Sequence, residues 1–329
     1  MKNLSKLFKG LLIAFITVSM MSCSDDDDQG TPMVSNTIAD FVVANQSNYS
    51  ILLAALQRAD GDLVTVLSGA GPYTVFAPDD AAFNAFLTAN SFASINDVPS
   101  DVLSQILLNH VISGAVQSAA LTTGYIQSES TATPNSVKMS MFVNTDGGVN
   151  LNGVSTVTGA DNVVDNGVVH LVDAVIGLPT VVTFAVADPT FDILELALTR
   201  EASFTFVEIL STADGTDPSP FTVFAPTNTA FGELLTELEV SALGDIATET
   251  LQATLNLHVV AGLNVAAESL TDNFTVPTLG GNITANITGG ATLTDANGRI
   301  SNIVATNVQA ANGIIHAIDK VILPNLSTK

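Results

Sequence analysis

The sequence predicts one domain of mixed helices and strands, built twice in tandem. Three observations predict it. YTVFAPDDAAF (73–83) returns as FTVFAPTNTAF (221–231), and NGVVHLVDAV (166–175) returns as NGIIHAIDKV (312–321). Within each copy, segments with apolar residues at helical spacing come first, and strand segments bounded by hairpin turns follow. Finally, 47% of the 329 residues are apolar and only 12% are charged, enough for the cores of about two domains.

The chain opens on Lys2, Lys6 and Lys9, then an apolar run from Leu11 to Val18, then small residues up to Cys23. A basic start, a short apolar core and a small-residue exit describe an export signal, here 1–22. The run is too short to span a bilayer comfortably. Cys23, the only cysteine, sits in register after Ser22 and before Ser24-Asp25-Asp26-Asp27-Asp28. This arrangement resembles the lipobox of bacterial lipoproteins, although Met20 stands where that family prefers leucine. The resemblance implies that Cys23 is lipidated, that 23–36 is an acidic tether, and that the protein is exported. It implies a lipid anchor in the outer membrane and exposure at the cell surface. Cleavage before Cys23 removes three lysines and no acid, taking the net charge from −23 to −26. Such a charge repels nucleic-acid phosphates and anionic membranes, so contact with a membrane is expected only through the lipid. No cysteine then remains for a disulfide, and stability rests on the core.

The copies are expected at 37–179 and 180–329. The 73/221 and 110/258 matches share an offset of 148, YSILLAAL (49–56) matches FDILELAL (191–198) at 142, and the closing histidines differ by 146. The six-residue change falls at the turn-rich Asp214–Ser219. The seam, Leu178-Pro179-Thr180, is so short that the domains are expected to touch. In copy one, Tyr49–Leu56 reads as helix and Tyr73–Ala77 as a buried strand stopped by Pro78. Asp79 caps a helix carrying Phe83, and Thr227 does the same for Phe231. Ser100 is expected to cap the next helix, which places His110 on its apolar stripe. Lys138–Val143 and Val149–Val157 flank the hairpin turn Asn144–Gly148, expected to return at Asp295–Gly298. Asn166-Gly167 and Asn312-Gly313 read as tight turns, with glycine supplying a positive φ and asparagine capping its own backbone. Each is followed by a strand through a histidine.

The Thr-Val-Phe-Ala-Pro segments, the helix-end histidines and the closing Asn-Gly-x-x-His-x-x-Asp resemble the fasciclin domain. The resemblance covers roughly 37–179 and 180–326. It implies an α+β fold, two wedge-shaped β-sandwiches, each flanked by several helices. It places the family boxes on Phe76, Pro78, Phe83, His110, Asn166, Gly167, His170 and Asp173. In the second copy they fall on Phe224, Pro226, Phe231, His258, Asn312, Gly313, His316 and Asp319. Leu257 departs from the pattern, where Asn109 keeps it. The resemblance implies adhesion, by binding cell-surface or matrix proteins or glycans.

The four histidines decide between a duplicated core and a duplicated site. His110 and His258 lie on apolar helical stripes, and His170 has apolar neighbours on both strand faces. All four therefore read as buried rings bonded to backbone groups, with depressed pKa. A metal site would need a carboxylate third ligand, and at three residues along a strand Asp173 and Asp319 face the other way. They are expected instead to accept backbone or hydroxyl hydrogen bonds. No nucleophile elbow, zinc-protease or phosphate-loop motif occurs. We therefore expect no catalytic residue, metal or cofactor. A hydrolase or metal-dependent enzyme on surface glycans, and a purely structural spacer, are the alternatives. Asp161 and Asp165 suit calcium or turn capping, with capping preferred. Candidate ligand loops are 122–136 and 268–278, rich in Thr, Ser, Asn and Pro, and the insertion 214–220.

Overall fold

The computed structural model describes residues 36–132 and 136–325. Cys23 and the acidic tether lie outside the described residues. In the first domain the helices are α1 (Ile38–Ala44), α2 (Gln46–Arg58), α3 (Leu63–Ser68), α4 (Asp80–Ala89) and α5 (Ser100–Asn109). Its strands are β1 (Tyr73–Pro78), β2 (Val111–Ser113), β3 (Gly124–Ala132), β4 (Val137–Asn144), β5 (Asn150–Leu151), β6 (Ser155–Val164) and β7 (Gly167–Val172). The second domain repeats this with α6 (Val181–Ala187), α7 (Asp192–Thr199), α8 (Phe206–Leu210), α9 (Asn228–Glu237) and α10 (Thr248–Asn256). Its strands are β8 (Phe221–Pro226), β9 (Val259–Ala261), β10 (Phe274–Thr278), β11 (Gly281–Asn286), β12 (Thr292–Thr294), β13 (Ile300–Ala310) and β14 (Gly313–Ile318).

Each domain is α+β, as the sequence predicts, with one seven-stranded sheet. The first runs β2-β1-β7-β6-β5-β4-β3, the second β10-β11-β12-β13-β14-β8-β9. The only parallel pairs among the described residues are β1–β7 and β8–β14, which join the first strand of each domain to its last. Register shifts along β6, between Val157 and Asn162, mark bulges. Bulges bend a strand, and the sheet folds until its two edge strands, β2 and β3, lie against each other. Inside the fold lies an apolar cluster of Phe76, Ile112, Met141, Val143, Leu151 and Val172. On the opposite face the helices cover the sheet through a second cluster, including Leu52, Leu56, Phe83, Leu103 and Val169.

Local chemistry sets the boundaries. Asp79 Oδ1 accepts from Ala82 N at 2.8 Å, and Thr227 Oγ1 accepts from Ala230 N at 3.2 Å, capping α4 and α9. Ser100 is not a cap. Pro99 holds that position without a side-chain bond, and Ser100 is the first helical residue. Proline fixes its own φ, here −54°, and carries no side-chain acceptor, so the first-turn amides of α5 receive no side-chain cap. The hairpin correspondence also shifts. The segment Val149–Val157 is broken at Asn152-Gly153 into β5 and β6, both residues having positive φ. The turn Asp295–Gly298 joins β12 to β13 and so matches Asn152-Gly153, not Asn144–Gly148. Two turns thus lie within ten residues of each other, and only the first, Asn144–Gly148, is predicted as a turn from the sequence. The candidate loops 122–136 and 268–278 prove to be largely the sheet-edge strands β3 and β10.

The domains are coupled through buried contacts. Thr180 caps α6 immediately after the seam, and Ala311 N donates to Pro179 O at 2.7 Å. Tyr125 OH donates to Asp188 Oδ2 at 2.9 Å, and its ring meets Phe184 edge-on at 5.5 Å. Phe142 of the first domain sits in the helix-layer core of the second. Gln309 N donates to Ser140 Oγ at 3.0 Å. A side chain at Gly153 would bring its Cβ to 3.3 Å from that of Ala187.

Candidate functional site

The repeated boxes converge where the parallel strand pair meets the helix-end histidine. β1 aligns Phe76 with His170 and Pro78 with Val172. β8 aligns Phe224 with His316 and Pro226 with Ile318. The aligned rings stack at 5.5 and 5.7 Å. Phe83 and Phe231 are fully buried in the helix layers.

All four imidazoles have both nitrogens committed to backbone. His110 Nδ1 donates to Ile106 O at 2.8 Å, and Nε2 accepts from Ile176 N at 2.9 Å. His258 repeats this with Thr254 O at 2.8 Å and Ile322 N at 3.0 Å. An amide N–H can only donate, so Nε2 must be the bare nitrogen and Nδ1 the protonated one, which makes the ring neutral. His170 and His316 use the other tautomer. Nε2 donates to Val116 O (3.0 Å) and Val265 O (2.9 Å), while Nδ1 accepts from Asp161 N (3.1 Å) and Asn307 N (3.4 Å). Complete burial pushes His110 and His258 down to about 4, against the raising effect of their carbonyl partners. Burial also lowers His316, with Val265 O and Glu268 acting in the opposite sense.

The asparagines span the fold instead of capping themselves. Asn166 Oδ1 accepts from Ile38 N at 2.8 Å, and its amide donates to Leu67 O at 2.8 Å and Gly69 O at 2.7 Å. Asn312 does the same with Val181 N, Leu210 O and Thr212 O. Each side chain thus ties the start of the first helix and the end of the third to the turn before the last strand. The glycines that follow are required by close approach. A Cβ at Gly167 would collide with the Tyr73 carbonyl, and one at Gly313 with the Phe221 carbonyl. Gly167 has positive φ but Gly313 does not, so conformational freedom is not the shared reason.

The aspartates brace neighbouring backbone. Asp173 Oδ1 accepts from Thr156 N, and Asp319 Oδ1 from Asn302 N, both at 2.7 Å. Asp161 accepts from Ser118 N at 2.7 Å and Ser118 Oγ at 2.6 Å, which lowers its pKa. Asp165 Oδ2 accepts from Asn36 N at 2.8 Å. These two carboxylates serve separate segments. Among the described residues no group of three or more His, Cys, Asp or Glu is placed to hold a metal ion.

Some repeated residues make bonds that the sequence does not announce. Thr74 Oγ1 donates to Gly114 O and accepts from Val116 N. Thr222 does so with Leu263 O and Val265 N. A threonine recurring inside two apolar strands was the available clue. Arg58 and Arg200, offset by 142, both donate to the carbonyls of the turn before the fifth helix. At the departure from the family pattern, Asn109 donates to Gly177 O and accepts from Ser128 Oγ. Leu257 instead packs in an apolar cluster with Val276 and Ile283.

The fasciclin domain family model matches residues 47–179 and 198–324. The chain belongs to the fasciclin family. This fasciclin pair is 37% identical over 136 residues to protein sll1483 of Synechocystis, covering 41% of this chain and 70% of that protein. It is 30% identical over 270 residues to transforming growth factor-beta-induced protein ig-h3 of Sus scrofa, covering 79% of this chain but only 36% of ig-h3. Human periostin is 29% identical over 263 residues, and the chain spans 29% of its length. Among solved structures, the FAS1 domain pair of the insect cell adhesion molecule fasciclin I superposes with a TM-score of 0.51 at 19% identity. The match covers 85% of this chain and 98% of that one. At that identity the likeness speaks for the fold. Among the described residues no helix is long and apolar enough to cross a membrane.

Proposed function

We propose that the protein is a non-catalytic, surface-anchored adhesion module whose two fasciclin domains contact a cell-surface or matrix protein or a glycan. One observation carries this reading. Both ring nitrogens of all four histidines are spent on backbone partners inside the fold. The boxes that recur in both copies therefore maintain architecture, and recognition falls to exposed surface, where fold and function are separable. The coupled domains present that surface with little relative freedom, which limits the entropy lost on binding. Cys23 carries the lipid in this reading, and the acidic run after it is a solvated tether.

The test has two arms. Metabolic labelling with a fatty-acid analogue should mark the wild type and not C23A, and should place it in the outer-membrane fraction. Arrays of glycans and matrix proteins should yield a ligand whose binding survives His110→Asn in a folded variant. Turnover of a glycan that this variant loses while still folded sinks the reading.

A further inference from the structure

The first domain holds a cavity that is nearly closed in its twin. Between the helix layer and the sheet lies an apolar space of about 120 Å³, lined by Leu56, Leu63, Leu67, Val75, Leu107 and Val111 among others. The corresponding space in the second domain, lined by Leu198, Leu210, Val223 and Leu255, measures about 20 Å³. The two share a fold and most lining positions. They differ at the third helix, where Leu63 and Val66 of α3 stand against Phe206 and Ile209 of α8.

Voids in a core destabilise in proportion to their volume. The second domain shows that two larger side chains on the same helix accompany a nearly closed space. The first domain keeps it open, and the space shares a lining residue with a surface cleft. Glu129 lines both the cavity and an adjoining cleft of about 360 Å³ that is edged by Val116, Leu121, Ile126 and Lys138. Glu129 is paired with Lys138 at 2.7 Å. We propose that this cavity is a binding site for a compact, uncharged apolar molecule, a single ring or a short alkyl chain, admitted past the Glu129–Lys138 pair. Its size is close to the ~150 Å³ of an apolar cavity that stays dry and accepts benzene. Charge narrows the class further. A net charge of −23 repels anions, and a carboxylate in the cavity would be desolvated beside Glu129.

The full chain, labelled at Leu, Val and Ile methyl groups, should be titrated with benzene, hexan-1-ol and hexanoate by NMR. Benzene and hexan-1-ol should shift the methyls of Leu56, Leu63, Leu67 and Leu107 and leave Leu198 and Leu210 unmoved. Hexanoate should bind about tenfold or more weakly than hexan-1-ol. The double variant L63F/V66I, which gives α3 the residues of α8, should lose about tenfold or more in affinity for benzene. Absence of shifts in the wild type overturns the proposal, as do shifts spread evenly over both domains. So does undiminished benzene binding by the folded double variant. If the double variant does not fold, the wild-type methyl map decides alone.

Discussion

At the scale of single residues, His110 and His258 make stability depend on pH. Their folded pKa is about 4, below the unfolded value of 6.5. Between those values the unfolded chain binds more protons, so stability rises with pH. The contribution is complete above pH 6.5 and lost as pH falls toward 4, on the order of 3 kcal/mol for each ring. Urea midpoints should fall steadily from pH 7 to 4.5, with the fall reduced in a variant lacking His258. Equal slopes in both proteins would refute this. The asparagines behave differently. Asn166→Ala strands Ile38 N and two carbonyls, and should cost about 2–4 kcal/mol with no dependence on pH in this range. Gly167→Ala pushes a methyl into the Tyr73 carbonyl and should cost more than about 4 kcal/mol, read as loss of soluble, cooperatively unfolding protein. The burial of the histidines was legible because apolar neighbours on a known period report what a side chain faces. The asparagine bonds were not, because their partners lie 97 to 131 residues away. Only the recurrence of Asn-Gly marked the position as constrained.

At the scale of elements, caps and turns tell what a local rule can and cannot read. Asp79→Ala should cost about 1 kcal/mol by freeing the amide of Ala82. Ser100→Ala should change stability by less than about 0.5 kcal/mol, since that hydroxyl caps nothing. Chemical denaturation of the two variants separates these outcomes. A cap depends on four consecutive residues, and where Asp or Thr precedes an apolar period it reads correctly. The hairpin equivalence failed for a related reason. Asn, Asp and Gly announce that a turn exists, and two turns close together announce themselves identically. Which turn matches which is fixed by strand register, and equivalent side-chain bonds mark it, Ser155 and Ser301 donating to Ala174 O and Lys320 O. Register is a long-range property, and only the offset of 146 between the closing strands carried it in the sequence.

At the scale of the whole molecule, the internal repeat gave the number of domains, and the short seam gave their contact. The residues that make the contact were invisible. Tyr125, Ser140 and Phe142 sit on strands without any special spacing, and Asp188 and Gln309 join them only after the chain has folded twice. Burial and the neighbouring Asp188 raise the Tyr125 phenol far above its ordinary pKa, so it remains a donor at any physiological pH. Tyr125→Phe leaves the Asp188 carboxylate oxygen buried without that partner and should cost about 2 kcal/mol. Calorimetry should show one unfolding transition for the wild type and, for this variant, a broadening toward two, one for each domain. A variant that still unfolds in one unchanged transition would show that the domains are coupled elsewhere.

The tie between the first helix and the last turn has a mechanical consequence. Asn36 is bonded to Asp165, and Ile38 to Asn166, so the first described residues of the domain are fastened beside its closing strand. The seam follows that same strand and leads to Val181, fastened in turn to Asn312. A pull between the amino-terminal end of the chain and its far domain therefore runs along β7 and the seam. It loads β7 and the two asparagine clamps before the helices or the remaining strands of the sheet. In a force spectroscopy trace, Asn166→Ala should release the first helix at lower force and leave the later rupture of the parallel strand pair where it was.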